Sequence, residues 1–239
     1  MCGRFVSATP PDQVAAYFGT EAPEALLEAS YNVAPTNDVY AVLADGSTRH
    51  LDAFHWGLVP LWAKDPKIGS KMINARAETL AEKNAYKAAF KRRRCLIPAD
   101  GFYEWKKDPN APPKAKKQPF FIHRPDGEPY AFAGLWEVWR GPDKDQEPLR
   151  SCTIITTSPN DVMASIHDRM PVILPASAWD AWLDRDNDDL DLLGKLLVPA
   201  APEVTVMHPV STQVNNVRNK GPELVAEVDP SAPDEGALL

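Results

Sequence analysis

Only three of the 239 residues are cysteine, and only 12 are glycine. An odd, small cysteine count argues against a disulfide framework and for a reducing compartment, so a cytoplasmic location is expected. No stretch approaches eighteen uninterrupted apolar residues, which removes a helical membrane span. The first residues carry one arginine and no apolar core, so they do not read as a secretory signal. Cys95 and Cys152 lie in apolar runs with no His or Cys at zinc spacing, so they are expected to be buried, with no metal. No repeat and no linker divides the chain.

What is abundant is proline, 24 residues of it, which suits many short strands joined by stiff turns. Net charge is −7, but it is unevenly spread. Residues 64–124 hold 16 Lys and Arg against 6 Asp and Glu, a balance of +10; residues 176–239 hold 4 against 12, a balance of −8. Local potential rather than net charge steers a polyanion, so a nucleic-acid partner stays open beside a merely solvated basic surface.

Apolar patterning predicts helices over 11–18, 22–29, 75–90, 160–166 and 176–183, the last resuming after a break in DRDNDDLDLLGKLL. Strands are predicted over 39–44 and 51–56, with DGST as the turn between them, then over 94–98, 101–105, 119–123, 130–139, 152–156 and 205–210. The Lys- and Pro-rich 106–118 is expected to be an exposed loop, and 229–239 an acidic, disordered tail. The fold class that follows is α+β: one compact domain over 1–228, with a mainly antiparallel, barrel-like core and short flanking helices.

The residue that demands explanation is Cys2, in MCGRF. If Met1 is removed, the chain opens with a 1,2-aminothiol. Its α-amine, with an ordinary pKa of about 8, is partly neutral at pH 7 and can attack an aldehyde to give a Schiff base. The adjacent thiol can then close on the imine as a five-membered thiazolidine, which an internal cysteine cannot do. The alternative is a second-position cysteine of no consequence. In GFYEWKK, Glu104 sits among aromatic residues, where a carboxylate is suited to general acid–base work; an edge glutamate paired with a lysine is the bland reading. His167 and Arg169 in IHDRMP offer a proton shuttle and a cation, or a surface turn capped by Asp168. INAR supplies Asn74 as a neutral clamp and Arg76 as a phosphate fork. Trp56 and Trp62 are candidates for base stacking or for the core.

Taken together, MCGRF, YNVAP, WGLVPLWA, INARAET, GFYEWKK, IHDRMPVIL and HPVSTQVNNVRNKGPEL resemble the SRAP family (SOS response-associated peptidase), the abasic-site processing proteins, in order and spacing. The resemblance implies one compact β-rich domain that binds single-stranded DNA and captures abasic sites covalently, without cofactor or metal. A monomer is expected. By resemblance Cys2 is the crosslinking residue, Asn74 positions it, Glu104 moves protons during ring opening, and His167 assists Schiff-base formation and reversal. Arg4, Arg76 and Arg169 resemble phosphate ligands; Asn32, Pro35 and Thr156 sit where the family lines its site, and Trp62 where it contacts DNA. Weak lyase activity is a corollary. Two departures stand out: a long stretch between Trp62 and Asn74, and Ala63 where some members carry a second tryptophan.

Three rival readings remain open. An N-terminal-nucleophile glutamine amidotransferase also begins Met-Cys-Gly, and RGPD at 140–143 fits that reading unless it is a hairpin turn. A cysteine peptidase would use Cys2 with His167. A plain single-strand binder would use neither.

Overall fold

The computed structural model describes residues 2–107, 110, 112, 117–142 and 147–230. Most of the Lys- and Pro-rich loop and the tail from residue 231 lie outside the described residues, as do Met1 and Asp143.

Twelve strands are present among the described residues: β1 (Phe5–Ser7), β2 (Ser30–Val33), β3 (Asp38–Asp45), β4 (Thr48–Trp56), β5 (Asn74–Arg76), β6 (Arg94–Ala99), β7 (Gly101–Lys106), β8 (Gln118–His123), β9 (Tyr130–Trp139), β10 (Leu149–Thr157), β11 (Met170–Pro171) and β12 (Val206–Pro209). Five of them close on themselves. β4 pairs β3, β3 pairs β6, β6 pairs β9, β9 pairs β10, and β10 returns to β4 in parallel, Ser151 opposite His55. Closure removes the unpaired edges of those strands. A second, antiparallel sheet runs β12-β8-β7-β1-β2. The α+β class with a barrel core therefore holds, and strand β9 falls on the predicted residues.

Alternation along β3 shows how the core is divided. Val39, Ala41 and Leu43 join a cluster with Cys2, Phe5, Phe102 and Ile122 of the second sheet. Tyr40 and Val42 point the other way, into a cluster with helices α1 (Pro11–Phe18), α4 (Trp179–Leu183) and α5 (Leu190–Lys195). The remaining helices, α2 (Lys87–Arg92) and α3 (Asp161–Ala164), are single short elements; Asn160 caps α3 by accepting from the Met163 N–H.

Two predicted helices are corrected. Residues 22–29 form none: the Leu27 N–H donates to the Tyr40 hydroxyl, which donates to the Ala25 carbonyl, so a strand side chain satisfies that backbone. Residues 75–90 are not one helix either. Asn74–Arg76 is a strand, with Ile154, Ile155 and Thr156 of β10 opposite its three residues; a 3-10 turn and further turns follow, and the α-helix begins at Lys87. Pairing with a strand distant in sequence outweighs local helix propensity.

The loop that delivers β5 is held by a glycine–glycine contact. Gly57 lies at φ 141, and a Cβ there would sit 2.6 Å from the Gly69 carbonyl oxygen; a Cβ on Gly69 would sit 2.5 Å from that of Gly57. Leu58 then donates to the Met72 carbonyl, and the Trp56 indole donates to the Ile73 carbonyl. Trp56 is fully buried, so it belongs to the core and not to a stacking surface.

The two charge blocks meet where Asp186 pairs Arg92. Other members pair outside the blocks: Asp180 with Arg49, Arg93 with Glu137 and Arg124 with Asp126. Arg94 is buried, and its guanidinium donates to the carbonyls of Phe90, Lys91, Trp182, Asp184 and Asn187. It holds the ends of α2 and α4, so the KRRR run is not a continuous cationic face.

Candidate active site at the N-terminus

Strand β1 enters the second sheet with Phe5 opposite Phe102 of β7, and the Tyr103 N–H donates to the Arg4 carbonyl. Carried back along the chain, this register brings Gly3 opposite Glu104. Cys2 lies fully buried just beyond, and its carbonyl accepts from the Asn74 side-chain amide at 2.8 Å. Asn74 is itself fixed by the β5–β10 pairing and by the Tyr86 hydroxyl, which donates to its carbonyl. The other end of the amide, Oδ1, is buried with no hydrogen-bond partner among the described residues. Glu104 is 3% exposed. Its charge reaches the Cys2 thiol: burial first, and Glu104 second, push that thiol well above the ordinary range, so the sulfur keeps its proton at neutral pH. The structure thus brings Cys2, Asn74 and Glu104 together from three remote segments.

His167 follows α3, its N–H donating to the carbonyl of Met163, a member of the cluster that contains Cys2. Its Nδ1 accepts from the Arg169 N–H at 3.0 Å and also lies 2.9 Å from an Asp168 oxygen.

The predicted cations occupy different situations. Arg76 stands exposed at the end of β5. Arg169 does not: its guanidinium grips both Glu78 oxygens, at 2.6 and 3.0 Å, and donates to the Thr156 carbonyl at 2.6 Å. Thr156 is fully buried, its hydroxyl directed at the Ala75 carbonyl. Arg4 donates to Asn32 Oδ1 and to the Val214 carbonyl, and lies over the Trp105 ring at 5.8 Å. Asn32 is fully buried and spends its own amide on the carbonyls of Val214, Asn216 and Asn219, so it is a bracket for Arg4 and the 212–220 segment. Pro35 makes the turn after β2, where Thr36 adopts φ 74, an uncommon conformation for a β-branched residue. Trp62 is 59% exposed, beside an open groove of about 610 Å³ lined by Lys64, Lys67, Ile68 and Lys71; none of Cys2, Asn74, Glu104 or His167 lines it.

Sequence reasoning did not single out Glu78, Trp105, Asn215 or Lys220. Glu78 stands two residues after Arg76 in INARAET, but its partner is 91 residues away. Among the described residues no group of three His, Cys, Asp or Glu is placed to hold a metal ion, and no helix is long and apolar enough to cross a membrane. RGPD follows β9, with Gly141 at φ 68.

The family model for SOS response associated peptidase (SRAP) matches residues 1–217. The chain belongs to the SRAP family. This SRAP chain is 45% identical over 228 residues to the abasic site processing protein YoqW of Bacillus subtilis (strain 168), covering 94% of this chain and 99% of that one. It is 32% identical to the abasic site processing protein YedK of Escherichia coli (strain K12), over 95% and 100% of the two chains. It is 37% identical to the abasic site processing protein HMCES of Xenopus tropicalis, over 83% and 66%. The SRAP fold recurs in a crystal structure from Bacteroides thetaiotaomicron with a TM-score of 0.83 at 23% identity, covering 95% of this chain and all of that one.

Proposed function

We propose that this protein captures abasic sites in single-stranded DNA through Cys2, first as a Schiff base and then as a thiazolidine crosslink. The observation that carries the reading is the grip of Asn74 on the Cys2 carbonyl with the buried Glu104 alongside. An N-terminal residue held this way is placed by the fold rather than frayed from it.

Removal of Met1 frees the Cys2 α-amine. At the lesion, the C1′–O4′ bond of the sugar breaks; the Glu104 carboxylate takes the proton of the C1′ hydroxyl and returns it to O4′, leaving the aldehyde. The neutral amine adds to C1′, and the carbinolamine loses water with His167 moving the proton to the departing hydroxyl. The thiol then adds to the imine carbon, and its proton passes to nitrogen. One water is lost overall. A thiol held protonated by burial leaves the first attack to the amine and acts second, which is the order a thiazolidine requires. An imine that escapes closure loses the 3′ phosphate by β-elimination, a minor lyase route.

Cys2→Ser tests the order of events, since it keeps the amine and removes the sulfur. Borohydride should trap this variant on an abasic oligonucleotide, while no heat-stable adduct forms without reductant. Failure to trap, from a variant chain shown to have lost Met1 and to begin with the introduced serine, contradicts amine attack. If Cys2→Ala binds and shields abasic strands as the parent does, and the parent forms no adduct, the protein is a non-covalent binder.

A further inference from the structure

Several arginines are matched to carboxylates: Arg49 to Asp180, Arg93 to Glu137, Arg124 to Asp126, Arg150 to Asp52, Arg169 to Glu78. Arg4 and Lys220 are not, and they lie side by side. Both converge on one fully buried residue: Arg4 donates to the side-chain oxygen of Asn32, and the Lys220 ammonium donates to the Asn32 main-chain carbonyl and to Asn37 Oδ1 at 3.3 Å. Every polar partner of either cation among the described residues is a neutral oxygen. Neutral acceptors satisfy the hydrogen bonds but leave two positive charges adjacent and uncompensated. Their mutual effect is visible, since burial first and Arg4 second hold the Lys220 ammonium below the ordinary lysine range. Arg4 keeps a further donor, Nε, buried without a partner. The Trp105 ring lies under its guanidinium and is tied by its indole N–H to Asn215 of the same 212–220 segment.

Two cations held rigidly side by side, without an acid between them, are completed by an anion. Arg4 is two residues from Cys2, about 7 Å along an extended chain. We propose that Lys220, from the C-terminal segment, adds a phosphate contact beside Arg4, already the expected phosphate ligand, so that the two hold one phosphodiester of the single strand that reaches Cys2. This rests on the reading of Cys2 as the capture residue only for the direction of the strand; the anion site itself does not depend on it. It gives the 212–220 segment a role: Asn32 fastens it so that Lys220 arrives beside Arg4.

The test uses an undamaged single-stranded oligonucleotide, which has no aldehyde and reads reversible binding alone. Dissociation constants are measured from 50 to 200 mM salt for the parent, Lys220→Gln and Lys220→Arg, each shown folded by its melting curve. One lost contact to a single strand lowers the slope of log K against log salt by about 0.7, so the deficit of the Gln variant should shrink about 2.6-fold over that range. Lys220→Arg should restore the parent slope. A Gln variant with the parent slope, or weakened equally at every salt concentration, overturns the site. If the slope changes as expected while the parent forms no adduct with an abasic strand, the phosphate site stands and the capture reading falls.

Discussion

Consider Asn74→Ala. The amide it removes donates at 2.8 Å to the carbonyl of a residue with no exposed surface. No other hydrogen bond to that carbonyl is present among the described residues. The cost is therefore that of an unsatisfied buried carbonyl, about 1–3 kcal/mol, rather than the smaller net worth of an exposed hydrogen bond. The β5–β10 pairing is made by main-chain groups and survives the change, so the protein should fold. If the same bond places the Cys2 amine for attack, the same energy appears in the rate, about 5- to 160-fold slower crosslinking. Urea denaturation reads the first quantity, and single-turnover crosslinking resolved on a denaturing gel reads the second. Asn74→Asp should be at least as slow, because it turns a donor into a second oxygen facing the Cys2 carbonyl. A folded Asn74→Ala protein that is destabilised by this amount yet crosslinks within twofold of the parent rate would refute the positioning role.

Further expectations follow from the rest of the fold. Arg94→Met should cost about 4 kcal/mol or more, because it strips donors from the carbonyls closing α2 and α4; a change under 1 kcal/mol in urea denaturation would contradict the assignment. Burial raises the thiols of Cys2, Cys95 and Cys152, so the folded chain keeps protons that the unfolded chain releases above about pH 8.5. Stability is then complete below that pH and falls as pH rises, by about 1.4 kcal/mol per pH unit for each thiol; equal urea midpoints at pH 8 and pH 10 would refute it. Arg76→Ala should flatten the salt dependence of single-strand binding by about 0.7 in slope, whereas Arg169→Ala, whose fork is occupied by Glu78, should chiefly lower the melting temperature. The reverse pattern would assign the phosphate contact to Arg169.

The sequence made the barrel strands legible because each is a short apolar run between turn residues, and β3, β6 and β9 fall within a residue of their predicted bounds. It failed where a partner far along the chain decides the local structure. Residues 22–29 lose a helix to the Tyr40 hydroxyl, and Asn74–Arg76 becomes a strand because β10 accepts it. The same limit applies at the site. Chemistry marked Cys2, Asn74 and Glu104 as unusual residues, and the fold brings them together. Chemistry alone did not show that Arg169 is spent on Glu78, that Asn32 is buried bracketing, or that Arg94 is a helix cap. Those facts are pairwise, and each involves a partner tens of residues away: Glu78 for Arg169, Val214 for Asn32 and Trp182 for Arg94.

The most direct measurement mixes the purified protein with a single-stranded oligonucleotide carrying one abasic site and examines the product by denaturing gel and intact mass. The expected product is a covalent species whose mass is that of the chain without Met1 plus the DNA, less one water. A protein whose N-terminus is demonstrably free cysteine, and which yields no such species, would contradict capture through Cys2.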